Sequence, residues 1–210
     1  VPTDHREHPL FARYFDRLSR AIEGDLAPYR RELLAGLTGR VLEVGAGNGI
    51  NFAHYPPQVE EVVAIEPEPF LRTKAQAAAA DAAVAVSVRD GVGARIELPD
   101  DSVDAAVACL VLCSVPDPAA ALAELRRVVR PGGELRFFEH VRADTAGKAR
   151  VQSWLDRSGV WPRLFGGCHC SRDTVAAIAG AGFAIEDVRI ITLTPGCSPS
   201  NPHAMGVARA

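Results

Sequence analysis

A chain of 210 residues, 48% of them hydrophobic and 23% charged, is sized and composed for one globular domain with a full core. Its net charge of −3 and scattered basic residues exclude the basic stripe of a nucleic-acid binder. No apolar run is long enough to cross a bilayer, no leader is evident, and the five cysteines read as reduced thiols, so a cytoplasmic protein without an integral membrane segment is expected.

Residues 9–37 carry a helical pattern, and 1–38 read as an N-terminal helical cap. Leu10, Phe11, Tyr14, Phe15 and Leu18 form an apolar stripe, with Arg13, Asp16, Arg17 and Arg20 on the opposite face. The stripe either packs on a sheet or serves as a lid. Gly24 and Pro28 punctuate the segment, leaving a second short helix over 29–37.

Residues 40–44 form a short apolar strand, followed by glycines at 45, 47 and 49 and then by a helix. Such a run lets the backbone turn with positive φ and lets a ligand approach main-chain atoms. Strands follow at 61–65, 83–89, 103–111 and 134–139. A helix begins near Pro69, and another is opened by Asp117-Pro118. Residues 141–170 break the pattern and hold both tryptophans. Ser171 then caps a short helix to about Gly180, and closing strands at 183–193 and 203–209 flank a Pro/Gly/Ser-rich loop. Apolar strands alternating with helices predict an α/β fold, a doubly wound, mostly parallel seven-stranded sheet with helices on both faces. All of 1–210 belongs to one domain, with 141–170 as an acceptor-side insertion.

A dinucleotide-binding G-x-G-x-x-G would place its third glycine where Ile50 stands. What is present is an acid two residues ahead of G-x-G-x-G: Glu43-Val44-Gly45-Ala46-Gly47-Asn48-Gly49. With it go Leu98-Pro99-Asp100-Asp101-Ser102-Val103-Asp104 and Arg126-Arg127-Val128-Val129-Arg130-Pro131-Gly132-Gly133. In these three ordered stretches the chain resembles the class I S-adenosylmethionine-dependent methyltransferases, whose Rossmann-like fold has the predicted order. The resemblance implies S-adenosylmethionine as cofactor and S-adenosylhomocysteine as product. It implies cofactor contacts from Glu43, Gly45, Ala46, Gly47, Asn48, Gly49, Asn51, Glu66, Pro67, Asp90, Gly91 and Leu110. Glu66 would bind the ribose hydroxyls, a task suited to a carboxylate that accepts from both. Many members hold the adenine amino group with an acid in the loop here occupied by Gly91-Val92-Gly93-Ala94, so Asp90 or main-chain atoms must serve. Local alternatives are that Glu43 caps the amides of the glycine loop and that Asn51 caps the following helix.

Leu110-Val111-Leu112-Cys113-Ser114-Val115, Glu139-His140-Val141 and Leu164-Phe165-Gly166-Gly167-Cys168, with Trp154, Trp161 and Pro202-His203, resemble the methyltransferase-like alkyl-thiol methyltransferases. S-methylation of a small-molecule thiol is the function this resemblance implies. N-, O- or C-methylation of an amine, phenol, quinone or lipid head group is the alternative. A nicotinamide-dependent oxidoreductase and a non-catalytic cofactor binder are further ones. His140, at the carboxyl end of a parallel strand, is the candidate general base or thiolate-stabilising group. Trp154, Trp161, Phe165 and His169 are candidate substrate contacts, and His203 is a secondary histidine. Cys168-His169-Cys170 lacks the second paired element of a zinc site, so no metal is expected.

Overall fold

The computed structural model describes residues 9–193 and 198–210. Its seven-stranded sheet has the order β3-β2-β1-β4-β5-β7-β6. The strands are β1 (Gly39–Val44), β2 (Val59–Ile65), β3 (Ala85–Arg89), β4 (Val103–Cys109), β5 (Val129–His140), β6 (Ala184–Ile191) and β7 (His203–Arg209). The first five pair in parallel, and β7 runs antiparallel to both β5 and β6. The helices are α1 (Pro9–Ala21), α2 (Glu23–Leu34), α3 (Pro69–Ala80), α4 (Pro118–Val128), α5 (Ala146–Ser158), α6 (Val160–Leu164) and α7 (Thr174–Gly180). The sheet divides the core in two, and strand alternation assigns each residue its side. Leu42, Val44, Ala106, Leu135 and Phe137 pack with Leu122 and Leu125 of α4 and Ile178 of α7. Val41, Val62, Val107 and Phe138 pack on the other face with Leu33 and Leu34 of α2 and Ala75 of α3. The chain leaves β1 toward β2 and β3, then returns to add β4 on its other side. That reversal opens a crevice at the carboxyl ends of β1 and β4, the ligand position in such sheets.

Several local expectations are corrected. Pro28 lies inside α2, where it forfeits one backbone hydrogen bond without ending the helix. The segment after the glycine loop is a five-residue 3₁₀ turn, Ile50–His54, because Pro56-Pro57 stop it from growing. It therefore offers little of the helix-dipole field expected there. Asp173, and not Ser171, caps α7 by accepting from the Ala176 N–H at 3.1 Å. The Ser171 N–H instead donates to Asp156 at 2.8 Å. The closing loop lies partly outside the described residues, as do residues 1–8 of the N-terminal cap.

The stripe on α1 does not pack on the sheet: Leu10 and Tyr14 are 84% and 50% exposed, whereas Ala12 and Ser19 are buried. Polar contacts to the glycine loop set the helix's rotation. Asn48 Nδ2 donates to Asp16 Oδ1 and Ser19 Oγ, both at 2.9 Å, so Asp16 faces inward and not toward solvent.

Two buried glutamates hold the strand ends. Glu43 accepts from Tyr55 Oη at 2.7 Å and from Asn51 Nδ2 at 2.8 Å. Asn51 Oδ1 in turn accepts from Arg30 of α2 at 2.6 Å, and Arg30 pairs with Glu23 at 3.0 Å. Glu43 thus reaches α2 and the 3₁₀ turn, not the loop amides, and Asn51 is no helix cap. Burial pushes the Glu43 carboxyl up from 4.5 to about 7 against these donors. Glu139, fully buried, accepts from the N–H groups of Val111 and Leu112 at 2.9 and 2.8 Å and of Cys113 at 3.1 Å.

Between about 4.5 and about 7 the native Glu43 carboxyl holds a proton that the unfolded chain has released. Its contribution to stability therefore falls as pH rises through that window. The stability difference between wild type and Glu43→Gln is expected to drift accordingly in urea unfolding at a series of pH values; a constant difference would refute it. Glu139→Gln sets an amide donor against N–H donors and is expected to cost about 2–3 kcal/mol with an unchanged denaturant slope. A loss below about 0.5 kcal/mol would show that the three N–H bonds contribute little.

Candidate cofactor and acceptor site

All three loop glycines take left-handed backbone, with φ of 64°, 58° and 77° at Gly45, Gly47 and Gly49. A Cβ on Gly45 would stand 2.2 Å from Val111 Cγ2, so a side chain there would drive the loop off the end of β4. On Gly47 it would meet the Phe15 ring of α1 at 3.2 Å. Gly45 and Ala46 donate their N–H groups to the Ile65 carbonyl at 2.9 and 3.1 Å, which ties the loop to β2. The Asn48 side-chain amide N–H groups are spent on α1.

Glu66 stands just past β2 and is 5% exposed. Its Oε2 accepts from the Gly47 N–H at 2.8 Å and its Oε1 from the Glu68 N–H at 2.9 Å. Burial raises its carboxyl above the ordinary range. A carboxylate has about four lone-pair sites, so two remain for a vicinal diol. The glycine cradle and this carboxylate fit S-adenosylmethionine. Arg72 fastens the neighbouring wall, donating to the Glu66 and Pro67 carbonyls, both at 2.8 Å. The same guanidinium pairs with Asp90 at 3.1 Å, whose side chain is otherwise 74% exposed. Gly91 lies against Ile65, with room of 3.5 Å for a Cβ. Leu110, directly after β4, is held at φ 58° while its N–H donates to the Phe138 carbonyl at 2.7 Å. A left-handed leucine at the crevice is local strain maintained by its surroundings.

His140 ends β5 beside the loop that follows β4. Its Nδ1 lies 3.3 Å from Cys113 Sγ and 3.4 Å from Cys168 Sγ. Hydrogen bonding with Cys168 and burial push the Cys113 thiol well above its ordinary value. The His140 ring also lies 4.7 Å from His203, which stacks on Phe138. Segment 167–169 is laid along residues 112–115: the His169 N–H donates to the Cys113 carbonyl at 2.8 Å. Arg172 braces the same turn, donating to the Leu112 and Val115 carbonyls at 2.6 and 2.9 Å. The His169 Nδ1 is occupied by the Gly167 carbonyl at 2.8 Å.

Trp161 and Phe165 stack at 4.0 Å, and the Trp161 Nε1 is buried without a partner. Trp154 does not join them; at 64% exposed it lies on the outer face of α5. The cysteine reading also divides. Cys170 turns to Asp156, its thiol pushed up to about 12, burial being the largest cause. Cys109 faces Arg30, its thiol pushed up by burial to about 11. Cys113 and Cys168 are the ones that meet, at His140. Linear spacing gave no sign of this trio or of Arg172. The adjacency of β4 and β5 would have placed Cys113 near His140, but nothing local announces Cys168. Cys197 lies outside the described residues.

Residues 42–137 match the family described as a methyltransferase domain. The mouse thiol S-methyltransferase TMT1B is 36% identical, the alignment covering 83% of this chain and 73% of that protein. Human thiol S-methyltransferase TMT1A is 33% identical over 94% of this chain and 85% of its own length. An S-adenosylmethionine-dependent methyltransferase from Mesorhizobium loti superposes with a TM-score of 0.66 at 21% identity, over 88% of this chain and 97% of that one. A geranyl diphosphate methyltransferase solved with S-adenosylmethionine gives 0.69 at 13%, over 99% and 92% of the two chains. At those identities the two structures speak for the fold alone. Fold, glycine cradle and full-length relatives agree: the chain belongs to the class I S-adenosylmethionine-dependent methyltransferases and is related to the thiol S-methyltransferases.

Proposed function

We propose that this methyltransferase transfers its methyl group to the sulfur of a small-molecule thiol. The observation that carries the reading is the reach of the similarity. The thiol S-methyltransferase relatives align over 83% and 94% of the chain, beyond the cofactor-binding half and into the segment that holds His140, Trp161 and Phe165.

Bound S-adenosylmethionine supplies an activated methyl group, which leaves the protein to align the acceptor and exclude water. The glycine loop would receive the methionine and ribose parts, and Glu66 would take the ribose hydroxyls. Pro67, Asp90, Gly91 and Leu110 would complete the cofactor contacts. A free thiol has a pKa of about 8.5, so modest help yields the thiolate nucleophile. His140 gives that help, either by taking the thiol proton or by stabilising the thiolate through Nε2. The stacked Trp161 and Phe165 form an apolar wall for the acceptor, and His169 keeps that wall in place through the 167–169 turn.

An N-methylation reading has one observation in its favour. A phosphatidylethanolamine N-methyltransferase from Cereibacter sphaeroides is 29% identical over 57% of the chain. The deciding experiment is an acceptor screen of thiols, amines, phenols and lipids with radiolabelled cofactor. Transfer to alkyl thiols is expected, and transfer confined to amines or lipids would overturn the thiol reading. Glu66→Ala is expected to weaken S-adenosylhomocysteine binding by roughly 10- to 100-fold in calorimetry, the size of about one charge-assisted hydrogen bond. Unchanged affinity would remove Glu66 from the ribose site. His140→Ala is expected to lower kcat by about 100-fold with cofactor affinity little altered; wild-type turnover would end its assignment.

A further inference from the structure

We propose that Cys113, His140 and Cys168 form a binding site for a thiophilic divalent cation of the zinc type. The donors are Cys113 Sγ, His140 Nδ1 and Cys168 Sγ, and all lie within 4.8 Å of one another. Zinc–sulfur bonds of about 2.3 Å and zinc–nitrogen bonds of about 2.0–2.1 Å place neighbouring donors of a tetrahedral ion roughly 3.5–3.8 Å apart. The observed nitrogen-to-sulfur separations of 3.3 and 3.4 Å need only a few tenths of an ångström of adjustment.

The three donors come from three segments, each held by its backbone. Cys113 donates its N–H to Glu139 at 3.1 Å and receives the His169 N–H on its carbonyl at 2.8 Å. His140 is the last residue of β5 and is paired with His203. Cys168 donates its N–H to the Phe165 carbonyl at 3.0 Å. The site is thus assembled by the fold and needs no second C-x-C element. The pair that sequence spacing could not find is supplied by the loop after β4, while Cys170 turns away.

Without a cation the cluster uses its polar atoms poorly. Among the described residues, the His140 Nδ1 meets two sulfurs, which are weak hydrogen-bond partners. A divalent ion would satisfy all three donors at once. Two thiolates balance its charge, so the buried cluster would be neutral overall. Cys113 and Cys168 are 1% and 5% exposed, which shields such an ion from water on the sulfur side. Three protein donors leave one tetrahedral position for a water. Coordination at Nδ1 fixes the imidazole proton on Nε2. Of the two roles given to His140 toward an acceptor, only thiolate stabilisation then remains. The site itself stands whichever acceptor the enzyme uses.

The test uses the full chain, reduced and stripped of metal. Zinc added under chelator competition is expected to bind at one equivalent per chain. Cobalt is expected to give the thiolate charge-transfer band and intense visible absorption of a tetrahedral sulfur-ligated ion. Cys113→Ser and Cys168→Ser should each weaken zinc binding by at least tenfold and diminish the cobalt bands, while Cys170→Ser leaves both unchanged. Circular dichroism of the metal-free variants checks their folding. Should the buried Cys113→Ser fail it, Cys168→Ser, placed in a loop, decides alone. An octahedral cobalt spectrum, binding that survives Cys168→Ser, or an equal loss in Cys170→Ser would overturn the proposal. None of these readouts involves methyl transfer, so the site and the thiol reading fail separately.

Discussion

Three consecutive N–H groups, those of Val111, Leu112 and Cys113, converge on the buried carboxylate of Glu139. They leave β4 where an unbraced chain would turn freely, and one carboxylate fixes all of them. Burying that charge costs several kcal/mol; three charge-assisted bonds of about 1.5–3 kcal/mol each offset part of it, and burial still holds the Glu139 carboxyl above its ordinary range. Their directions set the course of the loop. Val111 is thereby pressed against Gly45, Leu110 is held in left-handed backbone, and Cys113 is delivered beside His140. The glycine cradle and the Cys113–His140 edge therefore share one fixed point.

Glu66 and Glu43 repeat the device with different partners. Glu66 reaches back to the Gly47 amide and couples β2 to the loop that follows β1. Glu43, inside the protein, holds the 3₁₀ turn and α2. The three acids stand at the carboxyl ends of β1, β2 and β5 but do different work, because each is surrounded by different donors. Residue type and strand position alone do not distinguish the acid that ties two loops from the one that anchors a helix; the partners do.

The parallel strands and their succession along the chain were legible because continuous apolar runs between glycine and proline signals leave few alternatives. The glycine loop was legible because its spacing is local, and Ile50 at the third glycine position excluded the dinucleotide form. What failed depended on tertiary partners. The α1 stripe is strongly periodic, yet the contacts of Asn48 with Asp16 and Ser19 turn the helix so that Leu10 and Tyr14 face out. Trp154 and Trp161 look equivalent in the chain, but α5 presents one to solvent while α6 stacks the other on Phe165. Cys168 reaches His140 only because segment 167–169 hydrogen-bonds along the loop after β4. No periodicity encodes such a meeting.

Helix α1 links the two halves of the site more directly than any strand does. Its Phe15 lies against Gly47 of the cofactor loop, and its Phe11 lies against Gly166 of the turn before Cys168. The two rings are 6.0 Å apart on one helix face. A rigid helix that touches both loops cannot lift from one without changing the cover on the other. Its attachment combines these two rings with the polar contacts of Asp16 and Ser19 to Asn48, while Leu10 and Tyr14 face out. The glycine loop and the 166–168 turn are therefore both packed against one helix. The sheet could keep its packing while that cover moves.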